Sequence, residues 1–281
     1  MNTVAKFDSF SSRCSKTITK EYSTSFYSAI QLLGSEIRNP IYAIYGMVRL
    51  ADEIVDTFHE YDKAHLLEDF RNDTFKAIKA GISLNPVLQG FQKVVNRHNI
   101  DLALVDAFFD SMKQDLVKSE YVTEPELTNY VYGSAEVVGL MCLYIFCKGN
   151  EKNYNDLKDY AKALGAAFQK VNFLRDLQSD IDDLNRFYFP ELKTKGFTED
   201  IKLKIEKDIE ADFRSGYEGI KRLPINSRFG VYVAYRYYMA LFKKLKKTNS
   251  STILEKRVRI PNHIKMVIVV KAGLRSQLNL I

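Results

Sequence analysis

Four polar residues, Gln169, Asn172, Asp176 and Asp180, step by three, four and four through a segment that also holds Val171, Phe173 and Leu174. That period is helical, so two amides and two carboxylates share one face of a helix whose neighbouring positions seek a core. A near-twin stripe lies far upstream, where Tyr45, Arg49, Asp52 and Asp56 step by four, three and four, and Arg175 stands beside Asp176 as Arg49 stands near Asp52. Acidic pairs four apart are common on solvated helices, Asp106 and Asp110 being one. An extended polar stripe on a core-facing helix is not. A buried unpaired amide costs about 1–3 kcal/mol and a bare carboxylate far more, so any fold must bring partners or a ligand to both faces. A metal-bridged anion held between them satisfies both.

The rest of the chain repeats the helical period with almost no strand signal, which gives an all-α fold of roughly ten helices. The spacing predicts helices over about 15–33, 37–57, 62–80, 86–98 and 102–118. Thr123 and Glu126 form a capping box around Pro125, so a longer, strongly apolar helix should run from there to Cys147. Further helices are expected over about 154–183, 199–222, 225–247 and 262–274, with Thr248-Asn-Ser-Ser251 as a loop. No sequence repeat or low-complexity linker divides the chain, so residues 1–281 are expected to form one domain, with 1–12 loosely ordered.

Composition narrows the class. Apolar residues make up 46% of the 281, enough for a substantial core. The longest nearly unbroken apolar stretch, Val137–Cys147, is about half the ~20 residues a membrane span needs, and the N-terminal residues lack a secretory pattern. A cytoplasmic protein is expected. Of the three cysteines, Cys142 and Cys147 sit in a helical apolar pattern as small hydrophobes, against disulfides or zinc. The net charge of +6 is uneven: residues 241–281 hold ten Lys/Arg and one acid, Glu255, for +9, leaving −3 elsewhere. Such an end attracts nucleic acid, anionic lipid or a diphosphate, and charge alone does not choose between them. The carboxylates themselves are hard oxygen donors of the kind Mg²⁺ uses to join protein to phosphate, with Arg49 and Arg175 suited to the remaining phosphate charge.

At these residues the chain resembles the squalene/phytoene synthase family of head-to-head prenyl transferases, from about Thr19 to Leu274. The opening region is similar through Glu21-Tyr22-Ser23-Thr24-Ser25-Phe26-Tyr27, and the first aspartate-rich motif through Tyr45, Arg49, Asp52 and Asp56. The tyrosine-and-small-residue helix is similar through Tyr130, Ala135, Val138 and Gly139. The second aspartate-rich motif follows through Gln169, Asn172, Arg175, Asp176 and Asp180, then Arg186-Phe-Tyr188-Phe-Pro190, and Arg257 opens a similar basic segment. Tyr22 stands where the family often has histidine, and one extra residue separates Asp180 from Tyr188.

The resemblance implies a single helical bundle of the isoprenoid synthase type with a central cavity. It implies catalytic roles for Arg49, Asp52, Asp56, Tyr130, Arg175, Asp176, Asp180 and Tyr188. Substrate contacts are implied for Tyr22, Ser25, Phe26, Tyr45, Ala135, Val138, Gly139, Gln169, Asn172, Tyr238 and Arg257. Two or more Mg²⁺ ions, with Mn²⁺ as a substitute, would sit on Asp52, Asp56, Asn172, Asp176 and Asp180. The implied reaction condenses two allylic diphosphates through a cyclopropyl diphosphate, with aromatic faces such as Phe26, Tyr45, Tyr130 and Tyr188 shielding the carbocation. Geranylgeranyl diphosphate and phytoene are the expected substrate and product. Dehydrosqualene or squalene from farnesyl diphosphate is the alternative, and a non-catalytic binding relative a remote one. The phytoene route ends in proton loss, so NADPH is not expected. Nucleic acid is not an expected partner, the basic end with Val267 to Val270 is a candidate for resting on the inner membrane surface, and the oligomeric state stays open.

Overall fold

Local capping chemistry sets most of the helix starts. Asn85 accepts from the backbone N–H groups of Val87 and Leu88 ahead of Pro86, Thr123 and Glu126 close their capping box in both directions, and Asn150 and Thr198 accept from residues three further on. In the computed structural model, which describes residues 3–278, these signals punctuate an α-helical chain. The order is α1 (Thr3–Tyr22), α2 (Thr24–Ile30), α3 (Ser35–Asp56), α4 (Lys63–Ala80), α5 (Pro86–His98), α6 (Leu102–Val117) and α7 (Glu124–Val131). A π-helical turn, Tyr132–Glu136, joins α7 to α8 (Val137–Cys147). Then come α9 (Glu151–Asp182), α10 (Leu192–Lys195), α11 (Glu199–Arg222), α12 (Ile225–Lys246), α13 (Ser250–Glu255) and α14 (Asn262–Gln277). One isolated parallel bridge, between Glu120 and Phe187, is the only β pairing among the described residues.

Several expectations are corrected. The first helix opens at Thr3, so most of the stretch expected to be loosely ordered is helical, and it ends at Tyr22, where Ser23 caps the separate α2. Its anchor is a row of small hydroxyl residues, Ser11, Ser15 and Thr19, buried against α3 and α5. Their hydroxyls are partly absorbed by the helix itself, as where Thr19 Oγ1 donates to the Ser15 carbonyl at 2.9 Å. The expected loop at 248–251 instead starts α13, because Ile253 is fully buried and holds the short helix down.

The run Glu124–Cys147 is long and apolar enough to cross a membrane by length and composition, yet Val137, Met141 and Ile145 are buried among the other helices. It is a core helix, packed on α9 with α3 and α6 beside it. Close approach to α9 is bought by two glycines: a Cβ on Gly165 would stand 2.8 Å from the Ala135 carbonyl oxygen, and one on Gly139 would stand 2.9 Å from that of Ala161. α9, 32 residues and about 48 Å long, is the spine on which α8, α11, α12 and α13 assemble.

Candidate active site

The two polar stripes meet across one cavity of about 670 Å³. α3 contributes Tyr45, Arg49, Asp52 and Asp56 from its C-terminal half, and α9 contributes Gln169, Asn172, Arg175, Asp176 and Asp180. The helix built from α7, the π turn and α8 adds Tyr130, Ala135, Val138 and Gly139; Phe26, Tyr188, Tyr238, Arg257 and Tyr22 also line the space. Of the residues expected at the site, Ser25 does not line it. On α2 the cavity face carries Phe26, Ala29 and Ile30, and the Ser25 carbonyl accepts from Ser28 Oγ at 3.0 Å. Ser23 lines the wall instead, its hydroxyl accepting from the Phe26 N–H at 3.2 Å.

At the polar end the arginines are already engaged. Arg175 Nε donates to Asp176 Oδ1 at 2.9 Å, and Arg257 reaches the same oxygen at 2.6 Å from the segment between α13 and α14. Arg49 pairs with Glu53, lies 4.0 Å from Asp52, and stacks its guanidinium 4.4 Å from the Tyr22 ring. Tyr22 therefore uses its ring face, holding Arg49 in place by a cation–π contact. Gly139, for which a substrate contact is implied, lines the cavity, and its missing side chain also permits the approach of α9.

Two residues to which sequence reasoning gave no role stand at the centre of this end. Arg186 is buried and donates to Asp56 Oδ1 at 2.8 Å, to the Asp115 carbonyl at 3.1 Å and to Tyr188 Oη at 3.4 Å. Asp115, near the end of α6, accepts from Tyr130 Oη at 2.6 Å through one oxygen, while the other is buried with no partner. A signal existed for Asp115: Leu104, Phe108 and Met112 form a buried stripe on α6, and Asp115 is its next member.

Crowded carboxylates raise one another. Burial, then the charge of Asp56, pushes Asp52 up to about 7, although a third of its side chain still reaches solvent. Burial, then Asp176 and Asp56, pushes Asp180 up to about 8; burial also holds Asp115 at about 7 against the pull of Arg186 and Tyr130. This end of the cavity is short of positive charge. The donor set is all hard oxygen, and Asp115 Oδ1 is a buried acceptor awaiting a partner, which fits Mg²⁺. Among the described residues no three His, Cys, Asp or Glu are drawn close enough to hold an ion alone. The two walls would therefore share ions with an anionic ligand between them.

Aromatic rings divide into two walls. Phe26 contacts Tyr45 and Tyr238 with centroids 5.8 and 5.7 Å apart, and Tyr238 stacks on Phe168 at 4.0 Å while its hydroxyl donates to Asn172 Oδ1 at 3.2 Å. Across from them Tyr188 stacks on Phe173 at 4.1 Å and on Tyr130 at 5.3 Å, and Tyr121 joins Tyr130 at 4.7 Å. Burial raises the Tyr130 and Tyr188 phenols well above their ordinary value, so both stay neutral donors. Beyond the rings the lining turns apolar, and along α9 it continues through Leu164, Ala161 and Tyr160 to Leu157.

The squalene/phytoene synthase family profile matches residues 19–263. A chloroplastic phytoene synthase 3 of Zea mays is 29% identical over 94% of this chain, which spans 65% of that protein, just under two thirds of its length. A phytoene synthase of Arthrospira platensis is 26% identical over 93% of this chain and 92% of its own. Among solved structures, a dehydrosqualene synthase in complex with ligand superposes with a TM-score of 0.81 at 19% identity, covering 96% of this chain and 98% of that one, which shows the shared fold.

Proposed function

The chain belongs to the squalene/phytoene synthase family, a family of prenyltransferases, and from that premise we propose that it joins two molecules of geranylgeranyl diphosphate head to head to give phytoene. The supporting observation is the length of the apolar shaft. Leu157 and Asp176 lie nineteen residues apart on α9, about 28 Å along its axis. An extended isoprene unit covers about 5 Å, the rise of just over three helical residues. From Asn172, three units reach about Ala161 and a fourth reaches about Leu157, so the lining has length for a twenty-carbon chain.

Chemistry would begin at the polar end. Asp52, Asp56, Asp176 and Asp180, with Asn172 alongside, would hold Mg²⁺, which would supply Lewis-acid charge to the departing diphosphate. Arg49, Arg175 and Arg257 exchange their carboxylate partners for phosphate oxygens, charge-assisted contacts that strengthen as the bond to carbon breaks. The two ring walls present π faces to the allylic cation left behind, and the apolar lining beyond them keeps water from capturing it. Tyr130, held by Asp115, and Tyr188, held by Arg186, present neutral hydroxyls and ring faces without titrating. The first ionisation releases one diphosphate and joins the two chains, with loss of one proton as the cyclopropane closes; the second ionises the resulting cyclopropyl diphosphate, and loss of a second proton completes the hydrocarbon with no hydride donor.

Purified protein with Mg²⁺ and geranylgeranyl diphosphate, without NADPH, is expected to yield phytoene, read by mass spectrometry. A thirty-carbon product from farnesyl diphosphate as the preferred reaction would overturn the chain-length assignment, and no 1-1′ product from either substrate would overturn the synthase reading. The shaft predicts its own reversal. Ala161→Phe blocks the space for the fourth isoprene unit and is expected to shift preference at least about tenfold toward farnesyl diphosphate, the scale of a few kcal/mol of lost apolar contact. Unchanged preference would place the chain end elsewhere.

A further inference from the structure

α14 has two apolar faces. Ile268 and Ala272 are buried against the bundle, chiefly α12, whereas Met266, Val267, Val270 and Leu274 form a stripe on the opposite side with 71, 46, 59 and 56% of their surface exposed. Exposed single apolar residues are ordinary, but four adjacent ones on one helix face mark a covered surface. The flanks are cationic: Lys256, Arg259, Lys271 and Arg275 are exposed, and no acid occurs from Lys256 to Leu278. Lys265 ties the start of the helix to α2, its ammonium donating to Thr24 Oγ1 at 2.7 Å beside Ser23 and Phe26 of the cavity lining.

We infer that the outer face of α14 rests on an anionic lipid bilayer. The apolar stripe would enter the headgroup boundary with Lys271 and Arg259 meeting lipid phosphates, the pattern of a helix lying in the interface plane. Charge favours lipid over a second copy of this chain. A two-fold contact through the stripe would set Lys271 against its own counterpart. The placement puts the α2 wall of the cavity near the bilayer, where prenyl chains and an apolar product concentrate.

The test uses the whole chain and vesicles of phosphatidylcholine with about one-third phosphatidylglycerol, sedimented without any prenyl diphosphate. It is therefore independent of the synthase reading. Wild-type protein is expected to partition onto these vesicles, less so as salt rises, and the pair Val270→Glu with Leu274→Glu to reduce partitioning at least about tenfold while the thermal midpoint by circular dichroism holds. Lys271→Glu is expected to give a smaller loss that vanishes at high salt. Wild-type protein left in the supernatant, or a double variant that partitions as well as wild type, would overturn the inference. So would a wild-type dimer that the double variant converts to monomer without any change in vesicle binding, because the stripe would then be covered by a second copy.

Discussion

Asp180→Asn is expected to lower kcat at least about a thousandfold, the cost of losing a charge aimed at the departing diphosphate, while making the metal-free protein more stable at pH 8. The two effects share one cause. Burial and the neighbouring Asp176 and Asp56 raise the folded-state carboxyl to about 8, far above its value of about 4 in an unfolded chain. The folded state thus holds a proton that the unfolded state has released, and stability falls as pH rises from about 4 through about 8. Asparagine removes that slope. After discounting for residual solvent, the gain at pH 8 is on the order of 1–2 kcal/mol and shrinks to roughly a quarter of that near pH 5, one unit above the unfolded value. Urea unfolding in EDTA at pH 5 and pH 8, beside steady-state turnover, measures both. A variant less stable than wild type at pH 8, or one turning over within tenfold of it, contradicts this account of the carboxylate cluster.

Such a site was largely visible in the chain because its polar residues break an apolar helical period. Gln169, Asn172, Asp176 and Asp180 could be read as one face from spacing alone, and so could Tyr45, Arg49, Asp52 and Asp56; the structure brings both faces to one cavity. Helices with clear punctuation were equally legible: α5 begins at Pro86 after the Asn85 cap, and α11 occupies Glu199–Arg222 between Thr198 and Leu223. What escaped depends on packing rather than period. α1 buries serines and a threonine where a pattern search seeks large apolar residues, and α13 depends on one side chain, Ile253. The π turn adds a single residue per turn, too little to disturb a periodicity, yet it lies where Gly133 passes α6 so closely that a Cβ would meet the Ala107 carbonyl oxygen at 2.4 Å. Arg186 was in plain view beside the second motif, but its partners Asp56 and Asp115 are 130 and 71 residues away, and only the fold makes them neighbours.

That long-range role makes Arg186→Leu the most destabilising change expected at the site. The guanidinium is buried, reaches Asp56, the Asp115 carbonyl and Tyr188 at once, and is the cation that opposes the rise of the Asp115 and Asp180 carboxyls. Leucine fills part of the volume but leaves these acids without their counterion, a situation that costs about 3–5 kcal/mol when one partner of a buried pair is removed. The loss should itself depend on pH. With Arg186 gone, Asp115 and Asp180 rise further above their unfolded values, so the variant loses stability more steeply than wild type between about pH 5 and pH 8. At pH 5 Asp115 and Asp180 are largely protonated and the penalty shrinks toward the loss of the Asp56 pair and the other hydrogen bonds, on the order of 1–3 kcal/mol. Adding Asp115→Asn should recover part of the stability at pH 8 and little at pH 5, a coupling that a double-mutant cycle reads directly. Equal losses at both pH values, or no recovery by Asp115→Asn, would mean that Arg186 acts by packing and not by balancing charge.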